Sequence, residues 1–341
     1  MLHLIPWLLI SFPAPVQSPA ATSTQDLIAA GHWSPTLRPD ARGYLGTSSG
    51  PVLAIGHVKL SLEHKRTELS GLRNGTHNTS PATLLGMGYS RVPTTGSIER
   101  TEIRAEYGLA DATSLRLTIP IESRSIRFED GSGSGTREKS HGLADVELGV
   151  GVELSHKDGE RAELELLVAV PTGTTRAREG NSVGPSQPLL PYALQLGGGT
   201  YALKPAFTWT HWSRQWSFGT SGQATLPLGT NDQGWSAGNE LRLNSWVSRR
   251  VDPFRSLVLG MEYRHQDSVQ GQDSNMDETF DPSFDSNFTG VKTLSFDLGV
   301  HIIVEGNNRL AFEIGAPIWQ ETDGPQVEED YHFSLAWWLS F

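Results

Sequence analysis

The chain has 341 residues, a formal net charge of −11 and no cysteine. The acidic balance argues against nucleic-acid binding, which needs a basic surface, and the lack of cysteine leaves no residue for disulfide bonds or for a lipid anchor on an N-terminal cysteine. The 36 glycines and 20 prolines, together with short alternating segments, favour an all-β architecture. The sequence has no run of 18 apolar residues that would indicate a membrane-spanning helix, but a membrane-spanning strand needs an apolar residue only at every second position.

The N-terminal residues differ in composition from the rest. Residues 4–12 are almost all apolar, and Pro13, Pro15, Ser18 and Ala20 follow. A core of about nine apolar residues is typical of a secretory signal and is too short for a membrane helix, although no Lys or Arg precedes it here. We therefore predict a signal peptide over residues 1–20, a periplasmic leader of low order over 21–50 and one barrel domain over 51–341. A buried N-terminal segment is the alternative for the first 20 residues.

Alternating segments follow one another along the rest of the chain. Two weaker ones, around 58–69 and 97–108, precede nine with a clear apolar face, and a terminal segment over 331–341 follows. Period-two alternation indicates strands with one apolar face. The faces comprise Leu115, Leu117, Ile119, Ile121; Val146, Leu148, Val150, Val152, Leu154; Leu164, Leu166, Val168, Val170; Tyr201, Leu203, Phe207, Trp209; Trp216, Phe218, Ala224, Leu226, Leu228; Ala237, Leu241, Leu243, Val247; Leu257, Leu259, Met261, Tyr263; Leu294, Phe296, Leu298, Val300, Ile302, Val304; and Leu310, Phe312, Ile314, Ala316, Ile318.

Short and long connections alternate between these segments. Tight turns are predicted at 109–113, 157–160, 213–215, 251–254 and 305–308, and longer loops at 70–96, 127–142, 171–199, 229–234, 266–291 and 320–330. Outer-membrane barrels show this asymmetry, with tight periplasmic turns and extended external loops. We predict an all-β fold, a 12-stranded antiparallel up-and-down transmembrane β-barrel of the bacterial outer membrane. A β-sandwich would share the alternation but not the asymmetry of the turns.

The last segment ends in an aromatic residue, Phe341, with Tyr331, Phe333 and Trp337 on the same face. This pattern resembles the C-terminal assembly signal of outer-membrane barrels, which implies the barrel-assembly machinery, outer-membrane lipid and lipopolysaccharide as partners. Aromatic residues near strand ends predict interfacial girdles, with Trp209, Trp212, Trp216, Trp337 and Trp338 as members.

The residues between the lipid-facing ones point into the predicted barrel and carry charges of both signs. A lumen of 12 strands suits either a narrow aqueous pore or a polar plug, and buried charges must be paired or hydrated in both cases. The sequence leaves this choice open. The predicted pore-lining residues are Lys59, Glu63, Glu102, Arg104, Glu106, Arg116, Glu122, Arg124, Asp145, Glu147, Glu163, Glu165, Lys204, Glu240, Arg242, Glu262, Arg264, Asp297 and Glu313.

Three stretches resemble the outer-membrane transporters grouped with the MetA-like proteins of phenol-degradation pathways: residues 142–150, 170–173 and 196–203. Residues 229–234 and 323–326 resemble a subgroup found beside heavy-metal efflux systems. The resemblance covers residues 55–341 and implies a channel or transporter for small hydrophilic or amphipathic solutes, aromatic compounds or metal-related cargo among them, with passive permeation through a charged lumen. It implies neither a cofactor nor an enzyme. The alternatives are a barrel enzyme that modifies lipid or lipopolysaccharide, and a closed structural or adhesion barrel.

Three local patterns contain residue types that occur in catalytic or binding sites. His211-Trp212-Ser213 has the spacing of a lipid-deacylating barrel enzyme, but no acidic residue lies nearby in sequence to orient the imidazole. The loop 266–291 carries six carboxylates without the spacing of an EF-hand, which favours a solvated acidic loop over a Ca²⁺ site. Residues 131–135 alternate Gly and Ser without the Lys of a phosphate-binding loop, which predicts a flexible external loop. We predict no metal or nucleotide site.

Overall fold

The computed structural model describes residues 38–47, 53–157, 159–178, 189–304 and 308–340, so the predicted signal peptide and the terminal Phe341 lie outside the described residues. One short helix, α1 (Pro81–Gly86), and three 3-10 turns, Tyr192–Leu194, Pro282–Phe284 and Ser286–Phe288, accompany 15 strands. The strands are β1 (Val58–Gly75), β2 (His77–Thr79), β3 (Arg91–Ala110), β4 (Thr113–Asp130), β5 (Gly135–Leu143), β6 (Val146–Lys157), β7 (Glu160–Val170), β8 (Ala202–Trp212), β9 (Trp216–Pro227), β10 (Trp235–Ser236), β11 (Glu240–Arg250), β12 (Arg255–Gln266), β13 (Gln270–Gly271), β14 (Val291–Ile303) and β15 (Arg309–Ser340).

Eleven of these strands form a closed ring in chain order, each antiparallel to its neighbours, and β15 pairs with β1 to complete it. Strands β2 and β5 pair with β1 and β4 outside the ring path, while β10 and β13 form a separate two-stranded sheet. Closure satisfies the edge amides of the sheet, which is the condition for a strand protein to cross a membrane. The predicted all-β antiparallel barrel is confirmed. Among the described residues, no helix has the length and apolar character needed to span a bilayer.

The ring has 11 elements where the sequence predicts 12 strands, and the difference lies in the 32-residue β15. Its first part, 309–322, is antiparallel to β14, and its second part, 322–340, is antiparallel to β1. Gly324, which has a φ of +79°, lies next to the junction of the two parts. Residues 320–330, predicted as a loop, are part of this continuous element, which pairs with β14 before Gly324 and mainly with β1 after it.

The outer surface of the ring is apolar. Large apolar side chains at alternate positions remain exposed, such as Leu148 on β6 and Leu298 on β14, which are 55% and 58% exposed. Their sequence neighbours Glu147 and Asp297 are buried inside. An apolar exterior around a charged interior is the reverse of a soluble protein and identifies a membrane barrel of the bacterial outer membrane.

The strand ends agree with the predicted turns. Only two to four residues separate β3 from β4, β8 from β9, and β11 from β12. The long connections 171–201 and 267–290 lie at the opposite end of the barrel, which is the external end by the usual asymmetry. The predicted loop 127–142 is wrong, since most of it forms a hairpin of β4 and β5. Its turn at 131–134 is held by the Asp130 carboxylate, which accepts hydrogen bonds from the Ser132 and Ser134 amides.

Two of the five tryptophans assigned to girdles point inward. Trp212 and Trp338 are buried inside the barrel, whereas Trp216 and Trp337 are exposed on its surface. Successive residues of a strand face opposite sides, so Trp337 and Trp338 cannot both meet lipid.

Candidate functional site: the barrel lumen

The predicted lumen residues lie on the inner face, and most of them form ion pairs between neighbouring strands. Near the periplasmic end, Lys59 pairs with Glu106, and Arg116 pairs with both Glu163 and Glu165. Arg161 extends this group through Glu163 at 2.6 Å. All the basic side chains of this group are less than 10% exposed, so the wall here is a dry, mutually neutralised network.

At mid-height the ion pairs share carboxylates and join into a larger network. Arg100 bonds to Glu102 at 2.6 Å and to Glu122 at 2.5 Å. Arg104 approaches the other side of Glu102 at 2.7 Å, and Arg124 approaches Glu122 at 2.6 Å. Each carboxylate is thus shared by two guanidinium groups, which fixes the positions of all five side chains.

Two smaller groups of predicted residues lie beside this network, and we call all these paired mid-height side chains the charged belt. Lys204 donates to Glu147 at 2.5 Å. Arg242 and Arg264 both donate to Glu240, at 2.7 and 2.8 Å.

These mid-height and external groups retain contact with water. The side chains of Arg100 and Arg242 are 34% and 33% exposed, against 3% for Lys59 near the periplasmic end. Because they face inward, their exposed area borders the lumen and not lipid. The belt therefore borders open space inside the barrel.

Asp145 has a different role from its charged neighbours. It lies at the break between β5 and β6, and its two oxygens accept hydrogen bonds from the Gly173 and Gly198 amides at 2.9 Å. An added Cβ at Gly197 would lie 2.7 Å from this carboxylate, so the glycines let the backbone approach it closely. Asp145 thus fastens the two ends of the long connection 171–201 to the wall.

That connection folds into the external mouth. Leu190 and Leu194 are fully buried against Ile126 and Phe128 on the inner face of β4. A second apolar cluster joins Tyr192 and Trp235 to the connection 267–290, through Met276 and Phe284. The external end therefore has an apolar cap over the charged belt.

The carboxylates of the connection 267–290 are structural and not simply solvated. Asp273, Asp277, Asp281 and Asp285 each accept a hydrogen bond from the amide two residues later. The hydrogen bonds from Thr279 hold the pKa of Asp277 below its ordinary value, while burial raises the pKa of Asp281. Asp273 and Asp281 are almost wholly buried, which the prediction of a solvated loop missed. In the described part of the chain, no group of three His, Cys, Asp or Glu residues is placed to hold a metal ion.

The His211-Trp212-Ser213 pattern does not place its hydroxyl on the imidazole. Ser213 Oγ donates to the Trp216 carbonyl at 3.2 Å, and the His211 ring packs against Phe218 at 4.8 Å between centroids. The indole of Trp212 points inward, where Nε1 donates to the Asp40 carbonyl. His211 and Trp212 are thus the last residues of β8, and Ser213 is the first residue of the tight turn that follows.

Residues 38–47 occupy the periplasmic half of the lumen, and we refer to them as the plug. The sequence assigned them to a leader of low order, but Asp40, Tyr44 and Leu45 are each at most 5% exposed. The only sequence signal was the spacing of Arg38, Asp40 and Arg42, charged groups at alternate positions in a Ser- and Pro-rich region.

The tip of the plug is held by two carboxylates that the sequence placed in the lumen. Tyr44 Oη donates to Asp297 at 2.9 Å, and the Leu45 amide donates to Glu313 at 3.1 Å. Each carboxylate also contacts a buried imidazole: His332 lies 2.6 Å from Asp297, and His301 lies 2.9 Å from Glu313. Sequence reasoning missed both histidines, although their inward position follows from strand parity.

Two further predicted lumen carboxylates lie near the plug tip. Glu262 interacts electrostatically with Tyr44, and Glu63 with Glu313 and Arg104. The tip therefore borders the charged belt directly.

Residues 107–315 match the family model described as "Putative MetA-pathway of phenol degradation". This match spans more than half of the chain. The chain belongs to this family. The resemblance stated from the Gly and turn motifs is thereby confirmed, and the fold places this family member in the outer membrane.

Solved structures with the same fold include an outer membrane channel from Pseudomonas putida F1, which has 14% sequence identity and a TM-score of 0.60. The alignment covers 87% of this chain and 100% of that one. The toluene transporter TbuX of Ralstonia pickettii aligns over 90% of this chain and 93% of its own, with 11% identity and a TM-score of 0.42. The toluene transporter TodX of Pseudomonas putida aligns over 87% and 94%, with 10% identity and a TM-score of 0.40. A search of curated proteins found no match.

Proposed function

We propose that this family member is an outer-membrane channel that passes small hydrophilic or amphipathic solutes through its charged lumen. One observation carries the proposal: inward-facing arginines at mid-height, Arg100 and Arg242, are about one-third exposed to the interior of a closed barrel. In a barrel whose lumen is completely filled by paired side chains, these arginines would be as buried as Lys59, whose side chain is 3% exposed.

The solute class follows from the family and from the external mouth. The family description names phenol degradation, and a phenol combines an apolar ring with a polar hydroxyl. The mouth places an apolar cap, with Leu190 and Tyr192, above the arginine and carboxylate belt. Small phenols are therefore the first solutes to test.

The charged belt sets ion selectivity in this proposal. Neutralising Glu147 and Glu165 together (Glu147→Gln, Glu165→Gln) removes one carboxylate partner each from Lys204 and Arg116 and makes the lumen wall more positive. We expect the reversal potential in a salt gradient across a planar bilayer to shift toward anions. Glu160→Gln, at an exposed position on a periplasmic turn, serves as the control and should leave the potential unchanged.

Absence of conductance would overturn the proposal, provided that the protein shows the heat-modifiable mobility of a folded barrel on gels and that displacing the plug by Gly260→Val does not produce conductance. That outcome favours the closed structural barrel. Release of a fatty acid from lipopolysaccharide by purified protein would favour the barrel enzyme instead.

We also propose that the chain crosses the membrane 12 times. The two parts of β15 pair antiparallel with β14 and β1 in a ring where directions alternate, so they run in opposite directions and count as two crossings. In this arrangement the second part is the terminal strand that the barrel-assembly machinery would recognise.

A further inference from the structure

The plug contacts the wall through separate side-chain bonds and not through strand pairing. None of residues 38–47 lies in a strand. Arg38 donates to the Ser213 carbonyl in the β8–β9 turn, and the Asp40 carbonyl accepts hydrogen bonds from Trp212 and Ser217. Arg42 lies over the Trp338 ring at 5.0 Å. These bonds can be exchanged for water one at a time, unlike a β-ladder, whose bonds break together.

The plug enters the lumen from the periplasmic side. Arg38 lies at the periplasmic rim, where β8 turns into β9. Tyr44 reaches Asp297, which is six residues above the periplasmic end of β14 at Ile303. The segment thus runs along the permeation path and can retreat along the same path without crossing the wall.

The wall is shaped to receive the plug tip. Tyr44 packs against Trp246 and Val258, and its ring lies where β12 carries Gly260. A Cβ at Gly260 would lie 2.5 Å from Tyr44 Cδ2, so only glycine leaves room for the ring. The receiving surface is built from one glycine, two apolar side chains and the Asp297 carboxylate.

We propose that residues 38–47 form a periplasmic gate, and that the described state is the closed one. Withdrawal of Tyr44 and Leu45 from the surface around Gly260 opens the lumen to the periplasm. This inference rests on the proposed channel function. The solute then passes the charged belt and leaves through the space vacated by the plug.

Gly260→Val tests the gate from the side of the wall. The added side chain occupies the position of the Tyr44 ring and should raise the open probability in planar bilayers about tenfold, which corresponds to about 1.4 kcal/mol. Gly222→Val is the matched control, since a Cβ there meets the Leu243 side chain on the lipid-facing surface. Equal open probability in the two variants, with both folded, would contradict the gate.

A covalent lock tests the gate without relying on a clash. The chain has no cysteine, so Tyr44→Cys combined with Gly260→Cys supplies the only thiol pair. A Cβ at Gly260 would lie 3.2 Å from Tyr44 Cγ, so the Cβ atoms of the two cysteines come close to the spacing of a disulfide. We expect the oxidised protein to be silent in bilayers and reduction to restore openings, with Tyr44→Cys alone insensitive to the oxidant.

The two proposals fail in different ways. Openings that persist in the oxidised double variant, after mass spectrometry has confirmed the disulfide, overturn the gate and leave the channel intact. If the wild-type protein, the reduced double variant and Gly260→Val are all folded and silent, the channel proposal fails and the gate fails with it.

Discussion

At the scale of single residues, Arg91 joins the external connections to the barrel. Its guanidinium lies 4.2 Å from the centre of the Phe128 ring and donates to Asp281 at 2.8 Å, and it also pairs with Glu138. Both carboxylates are almost wholly buried. Arg91 therefore neutralises two acids that water does not reach and covers an aromatic face.

Replacement of Arg91 by Leu should destabilise the protein by about 3–5 kcal/mol, the usual cost of leaving a buried charge without its partner. Thermal unfolding in detergent measures the loss. Arg255→Leu is the control, because its pair with Asp252 lies on an exposed periplasmic turn, and we expect a cost below about 1 kcal/mol. Similar losses of stability in both variants would show that burial of the Arg91 ion pairs does not determine their contribution to stability.

The loss of stability in Arg91→Leu should depend on pH. Burial raises the pKa of Asp281 in the folded protein, so its contribution to stability is greatest below the unfolded pKa and declines as pH rises through the folded pKa. Removal of the Arg91 guanidinium raises that pKa further. The deficit of Arg91→Leu relative to wild type should therefore be largest near pH 7 and shrink toward about pH 4. Paired melting curves across this range would show a constant gap if Asp281 were not involved.

At the scale of elements, period-two alternation fixes which side of each strand meets lipid. Leu298 on β14 and Val251 in the β11–β12 turn are 58% and 59% exposed, but only Leu298 lies in the middle of a strand. Exposure alone does not distinguish them, whereas depth in the membrane does.

Leu298→Arg should cost about 2–4 kcal/mol in lipid vesicles, and Val251→Arg about 0–1 kcal/mol, because the penalty for a charge falls from the bilayer centre to the interface. Equilibrium unfolding by guanidinium gives both values. Equal small costs would mean that this surface faces water, as in a β-sandwich.

The proposed reversal within β15 can be tested by the side of the membrane on which it lies. Asp323 is exposed beside the turn at Gly324, at the same end of the barrel as the long connections. In intact cells, Asp323→Cys should react with a membrane-impermeant maleimide, while Val251→Cys at the opposite end should not. Labelling of both, or of Val251→Cys alone, would contradict the 12-crossing arrangement and its orientation.

At the scale of the whole molecule, the lumen is closed at two places in series. The external cap covers the belt from above, and the plug closes the periplasmic half below it. Between them lie the wet arginines and their carboxylates. When two constrictions lie in series, the tighter one limits conductance, and we expect the plug to be the tighter of the two.

Loosening the cap alone should therefore change little. Leu190→Ala with Leu194→Ala removes buried contacts with Ile126 and Phe128, and we expect single-channel conductance near that of wild type. Combined with Gly260→Val, the same changes should raise conductance above that of Gly260→Val alone. Planar-bilayer recordings of the three variants decide this, and a large increase from the cap variant alone would place the limiting constriction at the external end.

The sequence by itself determined the membrane barrel, the positions of the tight turns and the inward charges from Lys59 to Glu313, because alternation and turn residues are properties of adjacent positions. Tertiary structure alone decided the plug, the inward fold of Leu190 and Leu194, and the contacts of His301 and His332. Each of these depends on groups far apart in the chain, as with Tyr44 and Asp297, which are 253 residues apart. A segment that adds no strand to a sheet has no periodicity to reveal it, and only the closed ring supplies the surface on which it packs.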